Sequence, residues 1–269
     1  MSAPAEAAAL LARIRQRQLE LEPRFRKQRA HLTCPATVWR YVEKACTASA
    51  ADLVMLDLED SIPRGDERAL AEGRANVVRA LLELDWGARL RFFRPRGLEL
   101  DPGFEDLRTV VAGAGARLEG IVYPKVEDAD EVRLLDATLA ELERAHHLAE
   151  GSIRVELLVE SAAAEAEIAA IARASRRLVG LIFGAFDHWS SLGMVVPYAF
   201  DHPLVDHARA TIVKAAALVG VPAIAEMTLA YPTRDKSEVE RAAALAECRR
   251  DAEHARRFGF RGKWTGIPA

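Results

Sequence analysis

Eight short apolar runs alternating with longer amphipathic stretches predict an α/β fold, a (β/α)8 TIM barrel of parallel strands. Two further observations support it. Ionisable side chains stand at or within a few residues of the ends of five of the runs, which is where the mouth of such a barrel carries its chemistry. The first run is followed by Cys34-Pro35-Ala36-Thr37 rather than a glycine-rich phosphate turn, which disfavours an open dinucleotide-binding sheet.

The runs are AHLTC (30–34), LVMLD (53–57), RLRFF (89–93), GIVYP (120–124), IRVELLV (153–159), LVGLIF (178–183), VPAIAEM (221–227) and KWTGI (263–267). Their β-branched and apolar content suits strands covered on both faces. Apolar residues spaced i, i+3, i+4 predict helices over 38–48, 69–84, 129–145, 164–174, 205–219 and 238–258. An extra N-terminal helix is expected over 5–21, so residues 1–28 read as a helical extension and 29–269 as the barrel. No eighth helix falls within the chain after the last run. The N-terminal helix or a partner chain is expected to cover that flank, so a homo-oligomer, trimer or hexamer, is anticipated. The longest loops, 187–203 and 228–237, are candidate lids.

With 269 residues, half of them apolar and 29% charged, the chain can bury a large core as one domain. A net charge of −3 and the lack of a basic run interleaved with aromatics argue against nucleic-acid or anionic-membrane partners. Three cysteines in no metal-ligand spacing, no secretory leader and no 18-residue apolar stretch point to a cytoplasmic protein.

Glu160 and Asp187 each follow a run predicted to be a buried strand. Two carboxylates from neighbouring strands at one end of a sheet suit a hard cation such as Mg²⁺. The alternatives are that Glu160 caps a helix and Asp187 sits in a turn. The second run ends in Asp57, Glu59 and Asp60, the third in Arg94 and Arg96, and the fourth in Lys125. A guanidinium there can fork a substrate carboxylate or an enolate oxygen, and the spare carboxylates can move protons. Structural readings remain open. Asp57 could bind backbone, Lys125 could neutralise the acids around it, Arg96 could face solvent, and His188 could simply pack.

The segments ADLVMLDLEDSIP, LRFFRPRG, GIVYPKVEDADEV, VELLVESAAAEAEIAAIA, GLIFGAFDHWSSLG and GFRGKWTGIP, in this order and spacing, resemble the citrate lyase β-subunit-like branch of the HpcH/HpaI aldolase superfamily. The resemblance implies a carbon–carbon lyase dependent on Mg²⁺, or alternatively Mn²⁺. Its substrates would be 3-hydroxyacyl-CoA thioesters such as citryl-, malyl- or citramalyl-CoA, cleaved to a 2-keto acid and an acyl-CoA through an enolate. By this likeness Glu160 and Asp187 hold the metal and the backbone near Gly184 and Ala185 binds the keto acid's carboxylate. Arg94 stabilises the enolate, Asp60 with Glu59 handles protons, Lys125 supports them, and Arg40 lies near the CoA phosphates. After the seventh run the family's acid follows Pro-Ala-Ile directly, whereas here Ala225 stands there and Glu226 comes one step later. Strand alternation then predicts that Glu226 does not take that acid's place. Two alternatives stand beside the lyase: a class II aldolase for pyruvate-type donors without CoA, and a catalytically lapsed member serving as a subunit or binding protein.

Overall fold

The computed structural model describes residues 5–8, 11, 21–195 and 201–266. The helix expected over 5–21 falls largely outside these. Eight parallel strands close into a barrel in sequence order: β1 (Ala30–Pro35), β2 (Leu53–Asp57), β3 (Leu90–Arg94), β4 (Gly120–Tyr123), β5 (Arg154–Val159), β6 (Leu178–Phe183), β7 (Ala223–Ala225) and β8 (Gly262–Thr265). Closure comes from β8, which pairs with both β7 and β1. Among the described residues the α-helices are α1 (Trp39–Ala48), α2 (Glu67–Glu83), α3 (Glu105–Ala114), α4 (Ala129–Ala145), α5 (Ala162–Ile171), α6 (Ala185–Ser191), α7 (Pro203–Val219) and α8 (Glu238–Phe258).

Two of these were not expected from the sequence. The helix α3 buries Leu107, Val110, Val111 and Ala114, an i, i+3, i+4, i+7 stripe. Its β-branched pair and the glycines at 113 and 115 dilute the helical signal. It begins only because Asp101 accepts from the backbone of Glu105 and Asp106, at 3.0 and 2.9 Å. The short α6 starts immediately after β6, so Asp187 lies in a first helical turn rather than in a loop.

The strands carry two cores. One faces the surrounding helices; the other fills the barrel with Leu53, Met55, Leu90, Phe92, Val122, Leu158, Ile182, Ile224 and Trp264. Side chains alternate along a strand. The inward phase therefore runs Leu53, Met55, Asp57 on β2 and Leu90, Phe92, Arg94 on β3. It runs Leu158, Glu160 from β5, Ile182, Gly184 from β6, and Ile224, Glu226 from β7. Ionisable groups at one end of the barrel are thus the continuation of its inner apolar layers.

The opposite end is closed by a 3-10 turn, Pro23–Arg26, whose Phe25 packs edge-on to Phe92 with ring centroids 6.5 Å apart. Gln28 follows, its amide donating to the carbonyls of Phe25 and Val179 at 2.7 and 3.0 Å. Gly262 at the start of β8 lies against this plug, where a Cβ would come 1.9 Å from the Gln28 carbonyl oxygen. Backbone cannot yield as a side-chain tip can. Gly262→Ala is expected to cost at least the roughly 1–3 kcal/mol of an overpacked core site, seen as a lower midpoint in thermal unfolding.

Candidate functional site

The mouth of the barrel is organised by Arg94, the last residue of β3, which is only 2% exposed. It forms a two-pronged pair with Asp57 across the β2–β3 register, Nε to Oδ1 at 2.6 Å and Nη2 to Oδ2 at 2.9 Å. Its Nη1 lies 3.0 Å from Glu59 Oε2 and 3.1 Å from Asp60 Oδ2. Asp57 also accepts from the backbone N–H groups of Glu59 and Ser61, each at 3.0 Å, which folds the turn after β2 around the guanidinium. Asp57 therefore holds both backbone and Arg94. The cation raises its own proton affinity further: burial opposes the charge, but Asp57, Glu59 and Asp60 outweigh burial.

Lys125 completes the cluster. It stands in the left-handed region, φ 49°, an uncommon conformation for a side-chain-bearing residue and one found at functional turns. The turn aims its N–H at Glu160 Oε1, 2.8 Å away, while its ammonium bonds Glu59 and reaches Asp60 Oδ1 at 3.3 Å. Burial works against the ammonium, but Glu160, Glu59 and Asp60 together hold it protonated well above its ordinary range. The acids divide. Burial, then the charge of Asp60, pushes the Glu59 carboxyl up against the pull of Arg94 and Lys125. Asp60 feels burial too, but Arg94 and Lys125 prevail and lower it. Its side chain is 53% exposed, so Asp60 is the ionised carboxylate of this cluster that meets solvent.

Glu160 follows β5 and is 5% exposed. Burial drives its carboxyl well above the ordinary value, and the charge of Asp187 adds to that, with Lys125 and Arg94 opposing. Gly184 makes room for it: a Cβ there would stand 2.6 Å from Glu160 Cβ and 2.7 Å from its Oε2. Of the backbone donors near Gly184 and Ala185 expected to meet a substrate carboxylate, the Gly184 N–H already donates to the Val159 carbonyl at 2.9 Å. Gly184 contributes space instead, and Ala185 is the buried first residue of α6. Arg40 is exposed on α1, stacked over the Tyr41 ring at 4.9 Å, and outside the cavities that Glu160 and Asp187 line. Arg96 is held by Asp106 (Nε to Oδ2, 3.0 Å) and packs at a buried carboxylate rather than facing solvent. His188 is buried, with Nε2 2.8 Å from Glu165 Oε2.

Glu160 and Asp187 together line two cavities. The larger, about 730 Å³, extends over the β3, β4 and β5 loops and carries Glu99, Glu127, Asp128, Asp130 and Glu131, with Lys125 as its sole cation among the described residues. The smaller recess, about 180 Å³, reaches across α6 to β7 and β8 and includes Glu226 and Trp264. Glu226 is therefore on the inward phase, two residues beyond Ile224, which corrects the expectation that it turns away. Trp264 lies over Arg94 at 5.6 Å. Trp264 was not singled out for the site; the alternation Gly262, Trp264 in β8 was the available signal. Among the described residues no three His, Cys, Asp or Glu side chains converge as a ready-made metal cage.

The family profile for HpcH/HpaI aldolase/citrate lyase matches residues 36–265. The chain belongs to this family. A curated relative, an L-malyl-CoA/beta-methylmalyl-CoA lyase from Cereibacter sphaeroides, is 37% identical over 177 residues, 66% of this chain and 54% of its own. The chain thus spans about half the length of the curated relatives it matches. Protein CitE from Mycobacterium tuberculosis, solved with magnesium and acetoacetate, is 26% identical, with TM-score 0.68 over 92% of this chain and 88% of that one. Malate synthase from Haloferax volcanii, as a lead(II) complex, shares the fold at TM-score 0.76 and 21% identity, over 93% of this chain and 72% of that one. Among the described residues no helix is long and apolar enough to cross a membrane.

Two outcomes follow from the charges. Arg94→Met leaves Asp57 without its cation, and Glu59 and Asp60 with Lys125 alone. The loss expected for breaking a buried pair is about 3–5 kcal/mol, measurable by denaturant unfolding. For Glu160 the folded protein holds the proton more tightly than the unfolded chain does. Stability without metal is therefore fully present at low pH and is lost as pH rises above the ordinary carboxylate range toward the raised folded value. Glu160→Gln lacks that loss, so in chelator its melting temperature should gain on wild type as pH rises; parallel curves would contradict the burial argument.

Proposed function

We propose that this protein is a divalent-metal-dependent carbon–carbon lyase that cleaves or forms a 3-hydroxyacyl thioester, with a 2-keto acid as one partner. The observation that carries the proposal is the pairing of Glu160 with Asp187. A carboxylate kept buried beside a second one, with glycine opposite to admit it, has a net need for a cation that Lys125 and Arg94 together do not meet. The residues present fit Mg²⁺: two carboxylates, with oxygen ligands from water and substrate to complete the shell. The magnesium complex of the related CitE protein and the lyase activity in the name of the Cereibacter relative support this reading.

When bound, the cation supplies Lewis-acid polarisation of a substrate carbonyl. The rest falls to the chain. In the cleavage direction Asp60, ionised and open to the cavity, takes the proton from the 3-hydroxyl. The C2–C3 bond then breaks, its electrons moving into the thioester as an enolate, and the hydroxyl carbon becomes the keto carbon. A proton delivered to C2 completes the acyl thioester. Arg94 Nη2 carries a second N–H beyond the one donated to Asp57, and this donor meets the oxygen on which charge develops. Asp57 fixes that guanidinium, so little reorganisation is needed as charge forms. Glu59 and Lys125 position Asp60 and keep it ionised.

One observation favours a second reading, an aldolase without CoA. The larger cavity bears five carboxylates besides the metal pair and a single, already paired lysine, a wall that repels the phosphates of CoA.

Calorimetric titration of Mg²⁺ with and without pyruvate, glyoxylate or oxaloacetate tests the metal site. Binding of a keto acid should require Mg²⁺ and disappear in Asp187→Asn, whose circular dichroism should match wild type. A variant with unchanged metal-dependent binding overturns the site assignment. Acyl-CoA that tightens the keto-acid complex supports the thioester lyase; indifference to CoA supports the aldolase.

A further inference from the structure

The recess between α6, β7 and β8 has a chemistry of its own. Its walls include the apolar side chains of Phe186, Met227, Leu229 and Trp264, and its acidic ones are Asp60, Glu160, Asp187 and Glu226. Among the described residues no lysine, arginine or histidine lines it. Three of the four acids have tasks assigned above: Glu160 and Asp187 face the cation, and Asp60 is paired with Arg94 and Lys125. Glu226 remains.

Glu226 is 2% exposed. Its Oε1 accepts from Arg209 Nε at 2.9 Å and also from Arg209 Nη2, and Arg209 divides its charge with Asp206, whose Oδ1 lies 2.6 Å from Nη1. Asp206 in turn accepts from His254 Nε2 at 2.8 Å. Lys263 spends its ammonium on the Glu226 backbone carbonyl, 2.8 Å away, rather than on the carboxylate. Among the described residues the second carboxylate oxygen, Oε2, has no hydrogen-bond partner. A buried carboxylate at the edge of an apolar recess, its nearby cations already engaged, repels a second anion and tolerates a neutral group. At about 180 Å³ the recess is well below the ~300–1,000 Å³ of sites for drug-sized ligands, so the neutral group it takes is small.

Resting on the metal-dependent reading above, we infer that this recess selects the substituent of the 2-keto acid: it accepts a small uncharged one, as in pyruvate, and Glu226 rejects a second carboxylate, as in oxaloacetate. Phe186, Met227, Leu229 and Trp264 give a methyl group its contacts. Glu226 is a specificity-determining residue here and takes no part in bond making.

Freshly dissolved pyruvate and oxaloacetate are titrated calorimetrically into the Mg²⁺-loaded full chain, as wild type, Glu226→Gln and Leu229→Lys. Wild type should bind pyruvate more tightly than oxaloacetate by on the order of tenfold or more, the scale of a like charge met in a partly dry site. Glu226→Gln should shrink that ratio by strengthening oxaloacetate and leaving pyruvate nearly unchanged. Leu229 is 40% exposed on the rim, so Leu229→Lys keeps the fold and should shift the ratio the same way if loss of the Arg209 partner unfolds the glutamine variant. Equal affinities in wild type, or a preference that neither variant alters, overturn the recess assignment alone. If neither acid binds wild type in Mg²⁺, the metal-dependent reading falls and the recess inference falls with it.

Discussion

The buried pair between Arg94 and Asp57 is the interaction on which the candidate site depends. A guanidinium held from two directions by one carboxylate is geometrically fixed, and both groups stand at equivalent ends of adjacent strands. From that fixed cation the turn after β2 is ordered, Glu59 and Asp60 are gathered, and Lys125 is brought in from β4. A buried ion pair is weak evidence of stability, since desolvation offsets much of the attraction. Here its value lies in position: it lets several charges occupy the mouth of an otherwise apolar barrel without drifting apart.

Glu160 shows the opposite arrangement. Its neighbours leave its charge under-compensated, and burial favours the protonated acid. Strain and like charge concentrated at one end of the barrel fit a site where stability is traded for function. The other end is closed conventionally, by Phe25, Gln28 and tight packing at Gly262. Between the two ends lies one further polar pair, His31 and Glu156, 3.3 Å apart inside the barrel, with Gly180 leaving room for the carboxylate.

The electrostatics of the mouth are also asymmetric. The wall over the β3 to β5 loops is densely acidic, whereas the recess toward β7 and β8 is largely apolar with one carboxylate in reserve.

Strand order, barrel class and most helix spans were legible in the chain because apolar periodicity is local: the runs 53–57 and 178–183 and the helices 129–145 and 238–258 coincide with the elements found. The strand-end acids and bases at 57–60, 94, 125, 160 and 187 were visible for the same reason. Tertiary structure alone decided what each does. That Arg94 is clamped by Asp57, that the Gly184 N–H is already spent and that Arg40 stands apart depend on neighbours distant in sequence. So does the inward direction of Glu226, set by the phase of Ile224 in the closed sheet. Sequence pattern determined which side chains reach the mouth of the barrel, since alternation along a strand is a property of the chain. Closure of β8 onto β1 and the burial it imposes determined which of those charges are neutralised and which are left wanting a ligand.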